Sequence, residues 1–204
     1  NGAGKTTLIR ILTGLIPPTR GSLTINGIDV LTHPLELKRI LGYLPEDSHL
    51  YETMTVRSYL AFFGEIYGMS PGDIGDRADR LLATLSLDAG EKKIGELSNG
   101  MKRKVAIARS LLHDPALLIY DEPSSGLDPM TSRTIVEFLK DLRRQGKTIV
   151  FSAHNLYQVE EVCDRVMILR RGREVACGSI QELREIFGSI TYTVTFFIDD
   201  ISRL

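Results

Sequence analysis

The sequence predicts an α/β fold: a mainly parallel sheet with helices on both faces and a helical subdomain inserted into it. Three observations carry this expectation. Short apolar runs, Ala116–Tyr120 and Thr148–Ala153 among them, alternate with stretches of helical periodicity, the pattern of strand–helix–strand units. A glycine-rich loop, Asn1–Gly4, runs directly into a helix. One apolar run ends in adjacent carboxylates, Asp121 and Glu122, which a buried strand would deliver to the carboxyl edge of the sheet, where such folds bind ligands. From Asp47 to Gly95 the alternation gives way to helical periodicity, which marks the insert.

Composition is consistent with this. With 204 residues, 43% of them hydrophobic, the chain is large enough to bury a core of its own. A net charge of −1 lacks the basic excess of a nucleic-acid binder, so no nucleic-acid partner is expected. Cys163 and Cys177 lie far apart, without CxxC spacing, and read as reduced core thiols of a cytosolic protein. No apolar run reaches the ~18–20 residues needed to span a bilayer, and no secretory leader is expected. If the protein works at a membrane, another chain is expected to hold it there.

In chain order, Lys5–Leu12 continues the glycine-rich loop as a helix, and Gly21–Asn26 with the turn at Gly27 suggests a strand and hairpin end. Pro34–Ile40 reads as a helix, followed by a strand over Gly42–Pro45. The region from Thr55 to Leu87 is helical. Its first helix, with Thr55 as cap, carries Tyr59, Phe62, Phe63 and Tyr67, most of which are expected to build the subdomain core. Helices at Ser98–Leu112, Met130–Arg144 and Leu156–Val162 alternate with strands at Ala116–Tyr120, Thr148–Ser152 and Arg165–Arg170. Ser189–Asp200 alternates Ile190, Tyr192, Val194, Phe196 and Ile198 against threonines, a half-buried strand pattern. Residues 1–46 and 96–188 are expected to form a catalytic core, 47–95 a helical subdomain, and 189–204 the start of a C-terminal strand or extension.

The chemistry begins at Asn1-Gly2-Ala3-Gly4-Lys5-Thr6-Thr7. This segment matches the phosphate-binding loop GxxxxGK[ST] from its third position onward, which identifies the fold as a P-loop NTPase. Small residues let backbone N–H groups turn toward phosphates, and the following helix points its positive end at them. Lys5 can reach the β- and γ-phosphates, and the Thr6 hydroxyl can ligate Mg²⁺. Because the chain opens inside this motif, its natural start is expected upstream, together with the strand that leads into the loop. The 204 residues alone are accordingly expected to bind ATP weakly or not at all and to aggregate. Asp121 would hold Mg²⁺ through water, and Glu122 would polarise the attacking water. By itself, a strand ending in Asp-Glu is equally a solvated strand end. Leu97-Ser98-Asn99-Gly100-Met101 opens a helix with a hydroxyl and free N–H groups, which is either a second anion site or an ordinary capped helix start. Lys102–Lys104 reads as a solvated helix face, and His33, His49 and His113 as surface or loop residues.

Taken in order, these segments resemble the ATP-binding cassette (ABC) ATPases. Ser98, Asn99 and Gly100 lie where the family has its signature motif, Ser124-Ser125-Gly126-Leu127-Asp128 resembles the D-loop, and His154 after its strand resembles the switch histidine. Glu46 falls where the family has its Q-loop glutamine, and Asn99-Gly100-Met101 replaces the usual Gly-Gly-Gln. The resemblance implies two cassettes packed head to tail, with Ser98, Asn99 and Gly100 serving the partner's ATP, His154 contacting its own γ-phosphate, and Asp128 linking the two sites. Glu46 would approach Mg²⁺. It also implies a second cassette, most simply a second copy of this chain, and an integral membrane permease that holds the assembly at the cytoplasmic face of the cell membrane. Glu46 and the Met101-Lys102-Arg103 run resemble the exporter branch, whose membrane subunits are separate chains. A soluble ABC ATPase of the translation-factor type is the competing reading. The interval between Lys5 and Leu97 shows no heptads, which excludes the coiled-coil repair type.

Overall fold

The computed structural model describes residues 2–188. Along them run α1 (Lys5–Leu12), β1 (Thr24–Ile25), β2 (Ile28–Asp29), α2 (Pro34–Ile40), β3 (Leu41–Leu44), α3 (Val56–Ile66) and α4 (Pro71–Thr84). After a 3₁₀ turn at Ile94–Glu96 follow α5 (Asn99–Leu111), β4 (Leu117–Tyr120), α6 (Pro129–Arg144) and β5 (Thr148–Phe151). The described chain closes with α7 (Leu156–Val162), β6 (Val166–Arg170), β7 (Arg173–Gly178) and α8 (Ile180–Phe187).

A parallel sheet of order β3-β4-β5 lies at the centre. Leu41 pairs with Leu117 and Leu44 with Tyr120, and Tyr120 pairs in turn with Phe151, so the three carboxyl ends finish level. All four residues of β4 are buried, as expected of a strand covered on both faces. Its side chains alternate between two cores. Leu118 and Tyr120 join the larger core, built with α3 to α6; Leu117 and Ile119 join a smaller one with Ile9 of α1 and Leu37 of α2. The predicted α/β fold with helices on both faces is therefore present.

The helical insert shares the larger core with the sheet: Val56, Tyr59 and Leu60 of α3 and Ala78, Leu81 and Leu82 of α4 pack in one cluster with Leu44, Leu118 and Tyr120. Its base is closed by backbone pairing, Val56 N–H to Lys92 O and Ile94 N–H to Met54 O. Side-chain caps fix the helix starts. Thr55 accepts from Ser58 N–H, as the sequence predicts, and Ser70, Ser98 and Asp128 do the same for α4, α5 and α6.

Several expectations are corrected. β6 does not extend the parallel sheet. It forms an antiparallel ribbon with β7, a strand the sequence reading lacked. The cause is local: Arg171 (φ 51°) and Gly172 (φ 74°) both adopt the left-handed conformation of a two-residue hairpin turn. The expected strand at Gly21–Asn26 shrinks to Thr24–Ile25, and Asn26-Gly27 turns it back onto β2 in the same way. Of the four aromatic residues expected in the subdomain core, Tyr59 is fully buried and Phe63 packs partly buried against the core, while Phe62 and Tyr67 are exposed. Cys177 is exposed and not a core thiol. Burial of the half-buried Cys163 pushes its thiol pKa up to about 11. The strand pattern at Ser189–Asp200 lies outside the described residues. Among the described residues no helix is long and apolar enough to cross a membrane.

Candidate functional site

The site grows from the carboxyl end of β4. Asp121 N–H still donates to Leu44 O, which extends the ladder by one bond and leaves Asp121 and Glu122 only 1% and 6% exposed. Glu122 then takes a left-handed backbone conformation (φ 49°), costly for a residue with a Cβ and characteristic of functional positions. Ser152, buried just beyond β5, stitches the two together: its hydroxyl donates to Asp121 Oδ1 at 2.5 Å and accepts from Glu122 N–H at 2.9 Å. The sequence reading did not single out Ser152; only the parallel register of β4 and β5 sets it there.

The Glu122 carboxylate gathers two of the other predicted residues. Lys5 Nζ lies 3.7 Å from its Oε1, and His154 Nε2 approaches Oε2 at 2.5 Å. The latter contact is not an aligned hydrogen bond, and Oε2 is buried without a hydrogen-bond partner among the described residues. Lys5, Glu122 and His154, far apart in sequence, therefore converge.

Lys5 is presented by the glycine-rich loop. Gly2 (φ 75°) and Gly4 (φ 101°) both occupy conformations that favour glycine, and Gly4 caps α1 without a side chain, which leaves the first-turn N–H groups of the helix available. Thr6 and Thr7 sit in that first turn. Ala3 O accepts from Gly172 N–H at 2.8 Å, so the β6–β7 turn braces the loop. Asn1 lies outside the described residues. The donor set fits a nucleotide with Mg²⁺: a loop of turned backbone, a lysine, a hydroxyl and buried carboxylates meet at one edge. Among the described residues no three His, Cys, Asp or Glu side chains form a metal cage.

The remaining predicted residues stand apart from this cluster. Glu46 is exposed in the loop after β3. Ser98 is the exposed N-cap of α5, with its hydroxyl accepting from Met101 N–H. Asn99 begins that helix, and Gly100 packs so closely on Thr131 that a Cβ there would lie 3.0 Å from its side chain. Asp128 caps α6 by accepting from Thr131 N–H, and the Gly100–Thr131 contact sets the start of α5 beside that of α6.

One reading of an ordinary surface residue is overturned. Arg103 is buried, whereas the sequence reading put it on a solvated face. Its Nε donates to Pro123 O, Nη1 to Pro45 O and Glu46 O, and Nη2 to Asp121 O and Glu122 O, all within 2.8–2.9 Å. A signal was available: Arg103, Ala106, Ile107 and Ser110 share the buried stripe of α5 at helical spacing. His113 is half-buried, stacked on Tyr67 with ring centroids 3.7 Å apart, and its Nε2 lies 3.1 Å from Leu41 O. Burial lowers its pKa. His33 and His49 are exposed, as expected.

The family model described as ABC transporter matches residues 1–125. The ABC transporter ATP-binding protein NatA of Bacillus subtilis (strain 168) is 38% identical over 187 residues, covering 91% of this chain and 76% of its own length. The Nod factor export ATP-binding protein I of Rhizobium sp. (strain N33) is 39% identical over 91% of this chain, which spans 61% of that relative's length. Among solved structures, an ATP-binding subunit of an ABC transporter superposes with a TM-score of 0.83 at 36% identity, covering 92% of this chain and 79% of its own. The ATP-binding cassette MJ0796, a dimer in a post-hydrolysis state with ADP and Pi, superposes at 0.78 with 26% identity, covering 87% and 81%.

Proposed function

The chain belongs to the ABC transporter family, as an ATP-binding subunit, and from that premise we propose that the full-length protein hydrolyses ATP to power export through a separate membrane subunit. The single observation that carries the hydrolytic reading is the buried Glu122 carboxylate, with Lys5 Nζ at one oxygen and His154 Nε2 at the other.

In this reading the N–H groups of Gly2–Thr7, with those of Asn1, cradle the phosphates, and Lys5 neutralises charge on the β- and γ-phosphates. Thr6 and Asp121 hold Mg²⁺, with Glu46 near it; the ion, when bound, supplies charge neutralisation on the phosphate oxygens. Glu122, buried at the end of β4, accepts the proton of the attacking water. His154 steadies that carboxylate and reaches the γ-phosphate. Ser98, Asn99 and Gly100 contact the ATP of a second copy, and Asp128 connects the two composite sites. The MJ0796 dimer supports this pairing by similarity.

The membrane subunit docks at the helical insert. Tyr51 (51% exposed), Phe62 and Ile66 (62% exposed) form an outward apolar face beside a cleft of about 450 Å³ lined by Leu15, Leu35, Phe63 and Tyr67. Residues 1–46 and 96–188 act as the catalytic core, 47–95 as the docking subdomain and 189–204 as a C-terminal extension. The assembly sits at the cytoplasmic face of the membrane, and the Nod factor export relative favours the outward direction.

Glu122→Gln in the full-length protein tests the reading. A positioned base supplies about 10²–10⁴ in rate, so turnover should nearly vanish while ATP binding persists. Retention of more than about a tenth of wild-type turnover would remove Glu122 from the role of base.

A further inference from the structure

The guanidinium of Arg103 is buried and hydrogen-bonded through all three of its nitrogens beside the site. A guanidinium has five N–H donors in a rigid plane, and here all five go to backbone carbonyls, those of Pro45, Glu46, Asp121, Glu122 and Pro123. These carbonyls belong to two loops, one leaving the carboxyl end of β3 and one leaving that of β4. Sheet strands end with carbonyls that have no further ladder partner, and two such ends side by side leave a cluster of buried acceptors. Arg103 fills that cluster from α5, at 8% exposure. Burial works against its charge, and the nearby carboxylates of Asp121 and Glu46 work for it.

Two features raise this above a structural staple. Glu122 holds a left-handed backbone conformation, and such a residue persists only when its surroundings over-determine it. Its N–H is fixed by Ser152 and its C=O by Arg103 Nη2 at 2.8 Å, so both peptide groups that flank the strained Cα are held by buried side chains. The same guanidinium carries Glu46 O at 2.9 Å through Nη1, so the loop that bears Glu46 and the loop that bears Glu122 cannot shift independently.

We propose that Arg103 is a positioning residue for ATP hydrolysis: by saturating the carbonyls of both loops it holds Glu122 in its left-handed conformation and keeps the Glu46 loop in register with it. Arg103 spends its donors on the carbonyls of the two loops and acts through Glu122. The proposal rests on the reading of Glu122 as base. A lysine cannot replace it, because an ammonium offers three donors from one point and cannot span two loops.

The test compares Arg103→Lys and Arg103→Gln with the wild-type full-length protein, reading ATP turnover, ATP affinity by titration calorimetry and the thermal melt. Misplacing a catalytic group by about 1 Å can cost ~10²-fold, so kcat should fall about 10–100-fold in both variants. The Kd for ATP should stay within about threefold, since only an interaction of the transition state is lost. Wild-type kcat in either variant overturns the proposal. So does a loss of ATP binding that parallels the loss of turnover, or failure of both variants to melt cooperatively, for Arg103 would then be structural only. Glu122→Gln, run alongside, separates the two ideas. If it remains active the assignment of the base has failed, and if it is inactive while the Arg103 variants turn over normally only the present proposal has.

Discussion

Glu122 shows how a single residue's backbone and side chain serve one end. Its φ of 49° turns the carboxylate off the line of β4 toward Lys5 and His154, and Ser152 anchors the turn. Ser152→Ala should therefore leave a buried N–H and a buried carboxylate oxygen without their partner. A cost of about 1–3 kcal/mol in urea unfolding is expected, together with reduced turnover. An unchanged unfolding midpoint would show that water replaces the hydroxyl. His113 makes a prediction of another kind. Burial, with Tyr67 stacked on the ring, holds its imidazole below the ordinary 6.5, with Leu41 O and Asp114 pulling the other way and Lys147 and Arg77 assisting burial. The unfolded chain then binds the proton more readily than the folded one. Its contribution is complete above about pH 6.5 and is lost as pH falls through the folded value. Thermal melts between pH 7 and pH 5 should lose less stability in His113→Gln than in wild type.

At the scale of elements, the close approach of α5 to β3 decides where the site's carbonyls lie. Gly42 permits it: a Cβ there would clash with Ser110 O, Leu118 and Pro115, so α5 could not seat against the strand. Gly42→Ala should destabilise the fold by about 1–3 kcal/mol, as overpacking in cores does. Because β3 carries Pro45 and Glu46 at its end, the same variant should lower turnover as well. Chemical denaturation and ATPase assay on one preparation would check both. The helix caps work at this scale too, since Ser98 and Asp128 satisfy first-turn N–H groups of α5 and α6 while remaining exposed. A cap and a contact to a partner's nucleotide are compatible roles for one hydroxyl.

For the whole molecule, the larger core runs unbroken from the insert through α5 to the sheet, so movement at the proposed docking face would have a packed path to β4. In the proposed dimer Ser98 faces the other subunit's ATP. Ser98→Arg should block ATP-driven dimerisation while sparing monomer affinity, and size-exclusion chromatography with ATP reads this directly: a normal dimer peak contradicts the shared site. Cysteines placed at His49 or Tyr51 should crosslink to the membrane subunit. Crosslinks found only elsewhere would move the docking face away from the Tyr51–Phe62 surface.

Much of this protein was legible in its sequence because the features concerned are local. A phosphate loop needs glycines and a lysine at fixed spacing, a buried strand needs a run of apolar residues, and helix caps follow from a single side chain; hence Gly2–Thr7, Leu117–Glu122, Thr55 and the order of motifs could be read directly. Tertiary structure alone decided the rest. The convergence of Lys5, Glu122 and His154 and the bridging hydroxyl of Ser152 depend on parallel register between strands distant in the chain. The burial of Arg103 within a basic run, the stacking of His113 on Tyr67 and the pairing of β6 with β7 depend on which faces pack together. A side chain's charge is written in the sequence, but the acceptors that make its burial tolerable are supplied by folds of chain far away from it, and those exist only once the sheet has formed.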